Sequence, residues 1–314
     1  MKFLTGRAFR LFTGMSLLAA IACLPLPADA ARIVVLKSAD VEVYNEALDG
    51  FKTAIGQSPV SEYDMEGDLQ RGRRFLARLK SGPKPDLVFA IGIWALQVVV
   101  EEVRDTPVVF AMVLNPPAVI GQEPRNITGA SMNVPIEQQI ALLRRVSPQV
   151  RRIGVVYDPS KTGFLVRQAE RIAQQQGVRL VAKAIASSKD AFAALDAMQG
   201  EIDALWILPD LTVLAQESVQ YMLLLSFRNK IPLLGLSENQ AKMGALLGLS
   251  FGSGQDIGSQ AGELANQILS GRSAEEIPFT SARKLKLTVN LKTAAKLGLQ
   301  IPKEILDRAD LVIR

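Results

Sequence analysis

RIGVVYDPS, at residues 152–160, is an apolar run that ends in a turn and is followed by a helical pattern closing at Gly177. RIVVLKSAD, at residues 32–40, has the same arrangement, and its helical pattern closes at Gly56. Two more pairs follow in the same order, with PDLVFAIG at 85–92 matching IDALWILP at 202–209, and PVVFAM at 107–112 matching IPLLGL at 231–236. Two similar strand–helix halves predict two lobes with a cleft between them.

The strand-like runs are short and apolar almost throughout, which is typical of parallel strands buried on both faces. They are residues 33–36, 87–91, 108–112, 153–157, 178–182, 204–208 and 232–236. Arg179 interrupts the run at 178–182, which is therefore predicted to be an edge strand. Helical patterns with short connections separate the runs and predict right-handed crossovers. The predicted fold class is α/β, with two similar lobes that are each a parallel sheet flanked by helices.

Breaks in this alternation predict three crossings between the lobes. Ser147-Pro148 ends a helical run, Gly and Ser become frequent at 244–252, and Pro278 lies in a third break at 277–286. The N-terminal lobe is therefore predicted at residues 31–148 plus about 250–277. The C-terminal lobe is predicted at residues 149–249 plus about 278–314.

Residues 1–30 have the pattern of an export signal peptide. Three basic residues precede an uncharged apolar stretch at 11–24, which is short for a membrane span, and Ala28-Asp29-Ala30 fits a cleavage site. Cys23 leaves a lipid anchor as an alternative to cleavage after Ala30. The sequence predicts a periplasmic or otherwise extracytoplasmic protein.

Composition narrows the possible functions. The chain has no histidine, and Cys23 is its single cysteine, which excludes histidine-based catalysis, histidine-ligated metals and intrachain disulfides. No nucleophile elbow, P-loop or dinucleotide fingerprint follows a strand. The net charge of +5 is a weak argument for nucleic acid, because acidic residues lie among the basic ones. We expect no catalytic residue, no metal, no cofactor and no nucleic-acid partner.

The loops beyond the strands are the candidate binding site, because ligands of open parallel sheets bind at the carboxyl ends of the strands. In the first half these loops and the helix starts behind them provide Ser38, Asp40, Tyr44, Gly92, Ile93, Trp94, Asn115 and Pro116. In the second half they provide Tyr157, Asp158, Ser160, Pro209, Asp210, Ser237 and Glu238.

These candidates also have structural interpretations. Ser38, Asp40, Ser160 and Ser237 are typical helix caps, and Asn115-Pro116 is a typical turn. Asp210 is the strongest carboxylate candidate, because a charge directly after an apolar strand must face solvent or a partner.

Several motifs resemble one protein family, in the family's order. They are Ala39-Asp40 with Tyr44-x-x-Ala47-x-x-Gly50-Phe51-Lys52, DLVFAIG at 86–92, PVVFAMV-x-NP at 107–116, TGAS at 128–131, IGVVYDPS at 153–160, DALW-x-LPD at 203–210, Gly244-Ala245, and L-x-VN-x-x-x-A-x-x-LG at 287–298 with Ile301-Pro302. The chain is similar to the substrate-binding proteins of ABC importers, in the group that includes tryptophan- and tyrosine-binding members.

This resemblance implies a type I periplasmic-binding fold, with three hinge crossings and closure around one small solute. It also implies ABC permease subunits as membrane partners, no chemistry on the ligand, and a monomer. The implied contacts are Ser38, Gly92 and Asn115 from the first lobe, and Tyr157, Asp158, Asp210 and Ser237 from the second. Asp210 or Asp158 would hold the amino group of an amino acid. Ile93-Trp94 and Glu238 depart from the family pattern and put a tryptophan-like ligand in doubt.

Two other functions remain open from the sequence. One is a ligand-sensing partner of a membrane receptor kinase with the same fold. The other is a secreted hydrolase that uses carboxylates such as Asp210. A DNA-binding repressor of this fold is excluded, because the export pattern occupies the place of a helix-turn-helix.

Overall fold

The computed structural model describes residues 31–121 and 126–314, which form one compact unit. The predicted signal peptide and Cys23 lie outside the described residues. Two β-sheets, one in each lobe, organise the rest of the chain.

The first sheet is parallel throughout, and its strands follow the order β2-β1-β3-β4-β5. Four helices connect the strands. The elements are β1 (Ile33–Lys37), α1 (Glu42–Ile55), β2 (Val60–Asp64), α2 (Leu69–Lys80), β3 (Leu87–Ile91), α3 (Ile93–Glu102), β4 (Val108–Ala111), α4 (Pro117–Ile120) and β5 (Ile127–Ala130).

The second half of the chain continues with a larger sheet. Its elements are α5 (Ile136–Val146), β6 (Arg152–Tyr157), α6 (Pro159–Gln175), β7 (Arg179–Ala184), α7 (Ala191–Asp196), β8 (Ala204–Trp206), α8 (Gln216–Asn229), β9 (Leu233–Gly235), α9 (Glu238–Met243), β10 (Leu247–Phe251), α10 (Gly254–Leu269), β11 (Leu285–Asn290), α11 (Leu291–Leu297), α12 (Lys303–Leu306) and β12 (Leu311–Ile313). Short 3₁₀ helices occur at Ser188–Asp190 and Ala274–Glu276.

The sequence repeat corresponds to a repeat of topology. The second sheet has the order β12-β11-β10-β9-β8-β6-β7, so β7-β6-β8-β9-β10 reproduces β2-β1-β3-β4-β5. This confirms the predicted two-lobed α/β class, and β7 is an edge strand as predicted. β11 departs from the repeat, because it pairs with β10 in antiparallel fashion.

The chain passes between the lobes at three places that lie side by side. These are residues 131–135, residues 252–253 and residues 281–284. Ala282 N donates to Asn133 O at 2.9 Å, and Gly252 N donates to Lys284 O at 2.8 Å. The three crossings are therefore joined to one another by backbone hydrogen bonds.

Helix α5 packs differently from the predicted lobe assignment, which placed residues 136–148 in the first lobe. Ile140, Leu143 and Val146 belong to the same apolar cluster as Ile153, Trp206 and Leu247 of the second lobe. The chain thus crosses before α5 and not at Ser147-Pro148. The helix break at Pro148 separates α5 from β6 within one lobe, and a proline break alone does not reveal which sheet a helix covers.

Helix α10 returns from the second lobe to complete the first. It packs on α1 so closely that a Cβ on Gly258 would lie 1.8 Å from the carbonyl oxygen of Ala47. Gly254 and Gly262, one turn to either side, also approach α1 without room for a Cβ. Ile257, Ala261 and Leu264 of α10 then share a core with Phe51 and Phe89, whose rings stack at 3.8 Å.

Candidate functional site

Ser38, at the end of β1, is a structural link within the first lobe. Its hydroxyl donates to the carbonyl of Ile91 and accepts from the amide of Ala95, both at 2.9 Å. Gly92 lies beside it with a φ of +88°, and a Cβ there would come within 2.7 Å of Ser38 Oγ and Tyr44 Oη. The tight loop between β3 and α3 therefore requires glycine at 92.

Asp40 and Tyr44 follow in the same loop and the first turn of α1. Asp40 is exposed and forms an ion pair with Lys37 at 2.8 Å, while Asn45 donates to the same carboxylate oxygen at 2.9 Å. The hydrogen bond from Lys37, followed by that from Asn45, lowers the pKa of Asp40. Burial raises the pKa of the half-buried Tyr44.

Large apolar side chains are exposed on the loops at the carboxyl ends of the strands. Ile93 is 39% exposed and Trp94 is 44% exposed at the start of α3, and Leu114 is 40% exposed beyond β4. Leu211 beyond β8 in the other lobe is 82% exposed. Of these four side chains, Leu114 also lines the cavity described below.

Asn115 and Pro116 are buried in the loop after β4. The backbone N–H of Asn115 donates to Asn133 Oδ1 at 2.9 Å. Its side-chain nitrogen donates to the carbonyl of Lys161 in α6 at 2.8 Å, so this residue contacts the second lobe. Pro116 begins the turn into α4.

Asp158 and Asp210 form a compact carboxylate cluster at the ends of β6 and β8. Asp210 is fully buried and accepts from the amide of Asp158 at 2.7 Å, from the hydroxyl of Thr162, and from the amide of Thr212 at 2.9 Å. Asp158 caps α6 by accepting from the amide of Ser160 at 2.9 Å.

The oxygens of Asp158 are also engaged within the lobe. The exposed Ser160 donates its hydroxyl at 2.7 Å, and Thr212 donates its hydroxyl at 2.9 Å. The hydrogen bonds from Ser160 lower the pKa of Asp158 more than that from Thr212 does. Both carboxylates therefore hold β6, β8 and α6 together. Tyr157 beside them is half-buried against the second-lobe core.

A cavity of about 720 Å³ lies between the lobes, against the crossings. The first lobe contributes Val43, Glu46 and Leu114, and the second contributes most of the remaining wall. The apolar part of the wall includes Met132, Val134, Ile136, Leu165, Trp206, Leu214, Leu236 and Leu249. The Trp206 indole N–H donates to Gln139 Oε1 at 2.7 Å, and Gln139 donates to the carbonyl of Val134 at 3.0 Å.

Charged groups of both signs line the same cavity. Glu46, on α1, accepts from the amide of Gly254 at 3.0 Å. Glu238, at the start of α9, forms ion pairs with Lys242 at 2.5 Å and with Lys286 of β11 at 3.0 Å. The hydrogen bonds from Lys242 and then Lys286 lower the pKa of Glu238. The cavity thus combines an apolar wall with two carboxylates and one ammonium group.

Three of the predicted contact residues, Pro209, Ser237 and Glu238, line this cavity. The remaining candidates lie outside its lining, and Ser38, Asp158 and Asp210 use their polar atoms within their own lobes. Glu46, Trp206 and Lys286 line the cavity and were not predicted. Glu46 lies at i+3 from Val43, which also lines the cavity, so the two residues share one face of α1.

The described residues contain no group of three or more Asp, Glu, His or Cys placed to hold a metal ion. Within that same part of the chain, no helix is long and apolar enough to cross a membrane.

The model of the family described as "ABC transporter substrate binding protein" matches residues 41–313. The chain belongs to this family. A curated relative, a tyrosine-binding protein from Clostridioides difficile, is 26% identical to this substrate-binding protein over 226 residues. That match covers 69% of this chain and 64% of the relative, so slightly less than two thirds of the relative's length is matched.

Solved structures share the fold of this substrate-binding protein. The ligand-free, open structure of a substrate-binding protein with adhesive properties from Clostridium difficile has a TM-score of 0.70 at 23% identity. The ABC domain from Streptococcus pneumoniae in complex with L-Trp has a TM-score of 0.61 at 23% identity. Each comparison covers 90% of this chain and 99% of the other. The fold is that of the type I periplasmic-binding proteins.

Proposed function

We propose that this substrate-binding protein is the extracytoplasmic solute-binding subunit of an ABC importer and captures an amino acid or a similar small solute by closing its lobes. The observation that carries the proposal is the cavity between the lobes, with an apolar wall and charges of both signs. An amino acid offers a matching ammonium group, carboxylate and side chain. The tyrosine-binding relative favours the same class of ligand.

The charged residues of the cavity define how the amino acid would be held. Glu46 and Glu238 would accept from the ammonium group, and Lys286 would pair with the carboxylate. This assignment replaces Asp158 and Asp210 as holders of the amino group, because Glu46 and Glu238 line the cavity and Asp158 and Asp210 do not. The side chain would lie against Trp206 and its apolar neighbours, with Ser237 and Pro209 at the rim.

Closure would follow from differential affinity for the two arrangements of the lobes. A solute that contacts Glu46 in one lobe and Glu238 in the other stabilises the closed arrangement more than the open one. Closure would also cover Ile93, Trp94 and Leu114. The closed protein would then dock on the permease subunits as a monomer and release the solute unchanged.

This proposal is tested by binding measurements with defined probes. L-tyrosine, L-tryptophan, the other proteinogenic amino acids and a set of nucleosides are screened by thermal shift and calorimetry. A solute at one hundred times its Kd stabilises the folded state by about 2.7 kcal/mol, which raises the Tm measurably. Failure of every member of the panel to raise the Tm would contradict an amino-acid-binding function.

The assignment of the charged groups has its own test. For any amino acid that binds, we measure its affinity for the parent protein and for each variant. The same is done for its analogue without the carboxylate and for its analogue without the ammonium group. Glu238→Gln and Glu46→Gln are expected to weaken the amino acid about tenfold or more and to leave the analogue without the ammonium group unaffected. Glu42→Gln, an exposed position one turn before Glu46, is the matched control. An equal loss of affinity for the amino acid and for both analogues would contradict the assignment of Glu46 and Glu238 to the ammonium group.

A further inference from the structure

Asn115 has an unusual combination of features for a loop residue. Its φ is +49°, it is 5% exposed, and its backbone amide is fixed by Asn133 Oδ1 at the first crossing. Its side-chain nitrogen reaches the carbonyl of Lys161 in the other lobe at 2.8 Å. Because a carbonyl only accepts hydrogen bonds, the nitrogen and not the oxygen of the amide must face Lys161.

The other end of this amide is unpaired. Asn115 Oδ1 is buried and has no hydrogen-bond partner among the described residues. A buried acceptor without a partner is unfavourable, so the side chain is not held in place by bonds within its own lobe. Its one side-chain hydrogen bond goes to the opposite lobe.

The position of this bond connects it to lobe movement. Among residues 31–121 and 126–314, the hydrogen bonds between the two lobes otherwise lie at the three crossings or in their immediate neighbours. Asn115 follows β4 and Lys161 lies in the first turn of α6, so both belong to edges that face the cleft. Widening the cleft about the crossings would separate these two groups.

We propose that Asn115 is a latch between the lobes, a positioning residue that sets the width of the cleft without contacting the solute. Its hydrogen bond favours the arrangement in which the first turn of α6 lies against the loop after β4. Removing the donor should increase the population of wider arrangements by roughly two- to tenfold, the equilibrium effect of one net hydrogen bond. This inference does not depend on the nature of the solute.

The test measures lobe separation in the full chain without added solute. Spin labels are placed on Gln70→Cys and Lys189→Cys, two exposed positions at equivalent places in the two lobes, in a Cys23→Ser background. Double electron–electron resonance then measures the distance between the two labels in the parent chain and in the Asn115→Asp and Asn115→Gly variants. Aspartate keeps the shape but has no donor, and glycine keeps the positive φ without strain. Both variants are expected to populate longer distances than the parent chain.

Asn126 provides a matched control. It also has a positive φ, of +63°, and its side chain donates to the carbonyls of Arg104 and Thr106 within the first lobe. Asn126→Asp and Asn126→Gly should leave the distance distribution unchanged. The latch is overturned if the Asn115 variants superimpose on the parent distribution, or if the Asn126 variants widen it equally.

Discussion

Asp210 illustrates at the scale of one residue why a carboxylate after an apolar strand need not face a ligand. It is fully buried, yet two amides and one hydroxyl of its own lobe donate to it. Buried ions are tolerated when such donors compensate for lost solvation. The role of Asp210 is therefore to join the ends of β6 and β8, and the hydrolase alternative loses its principal carboxylate.

Asp210→Asn is expected to destabilise the fold. In either orientation the new amide NH₂ would face the N–H of Asp158 or that of Thr212. This conflict should lower the free energy of unfolding by about 1–3 kcal/mol, measured by urea denaturation. Asp40→Asn is the reference, because the carboxylate that it replaces is largely exposed. It should have a much smaller effect on the free energy of unfolding. Equal effects of the two substitutions would contradict the structural role.

The stabilisation that Asp158 provides is expected to depend on pH. Its pKa in the folded protein lies below the ordinary value of about 4, because Ser160 and Thr212 donate to the ionised form. The resulting stabilisation is present above the unfolded-state pKa and is lost as the pH falls through the folded-state pKa. Asp158→Asn, which can still cap α6, should therefore lower the Tm more at pH 7 than at pH 3. A Tm difference independent of pH would contradict this assignment.

Residue identity also explains which part of the site was predictable from the sequence. Rules for parallel sheets identify the loops, and Pro209, Ser237 and Glu238 line the cavity from those loops. The direction of each side chain is not encoded in loop position. Ser38 bonds to the start of α3, and Asp158 bonds to the start of α6, the helix that follows it. Glu46 and Lys286 reach the cavity from a helix and a crossing strand, which loop rules do not include.

At the scale of the elements, the contact between α1 and α10 determines the shape of the first lobe. The glycines at 254, 258 and 262 let the two backbones approach, and this places Glu46 next to the amide of Gly254. One wall of the cavity thus depends on helices that are about 200 residues apart in the chain. Side-chain volume at this contact should affect stability strongly.

Gly258→Ala and Gly163→Ala should have opposite effects. Alanine at 258 would place its Cβ 1.8 Å from Ala47 O, so the helices must separate at a cost of about 1–3 kcal/mol. Gly163 lies inside α6, and the nearest heavy atom to a Cβ there is 3.6 Å away. Alanine at 163 should stabilise the protein by about 0.5–1 kcal/mol, because it costs less entropy in a helix. Thermal and urea unfolding measure both, and destabilisation of the two variants alike would contradict this account of the contact.

The elements themselves were predictable where buried strands are apolar throughout, as in β3, whose predicted bounds match the structure. β10 and β11 are less apparent from the pattern, because Ser250 and Lys286 interrupt them near the crossings. The lobe to which α5 belongs was also not predictable, since its apolar face suits either sheet. Packing against Ile153 and Trp206 decides it, and that information is tertiary.

At the scale of the whole molecule, neither lobe is a continuous segment of chain. The first lobe includes α10, and the second includes β11 and β12 after that return. The single boundary between the two lobes is therefore crossed by the chain at three places in the sequence. Stability of the first lobe should depend on residues that follow most of the second.

A chain that ends at residue 252 tests this dependence. It retains every strand of the first sheet but lacks Ile257, Ala261 and Leu264, which complete the core of that lobe. It should show no cooperative unfolding transition in calorimetry. A chain that ends at residue 306 loses only the edge strand β12 and should retain a transition at lower Tm. A cooperative transition in the shorter chain would contradict the requirement for α10.

The return of α10 has a consequence for the time course of folding. The ribosome synthesises α1 early, but its packing partner is complete only when residue 269 has been added. Until then the face of α1 that carries Gly50 and Phe51 has no helix to cover it. The first lobe therefore cannot finish folding until most of the second has been synthesised. Nascent α1 lacks this helical partner while the whole β6–β10 segment is being made, and contacts between such distant segments are slow to form.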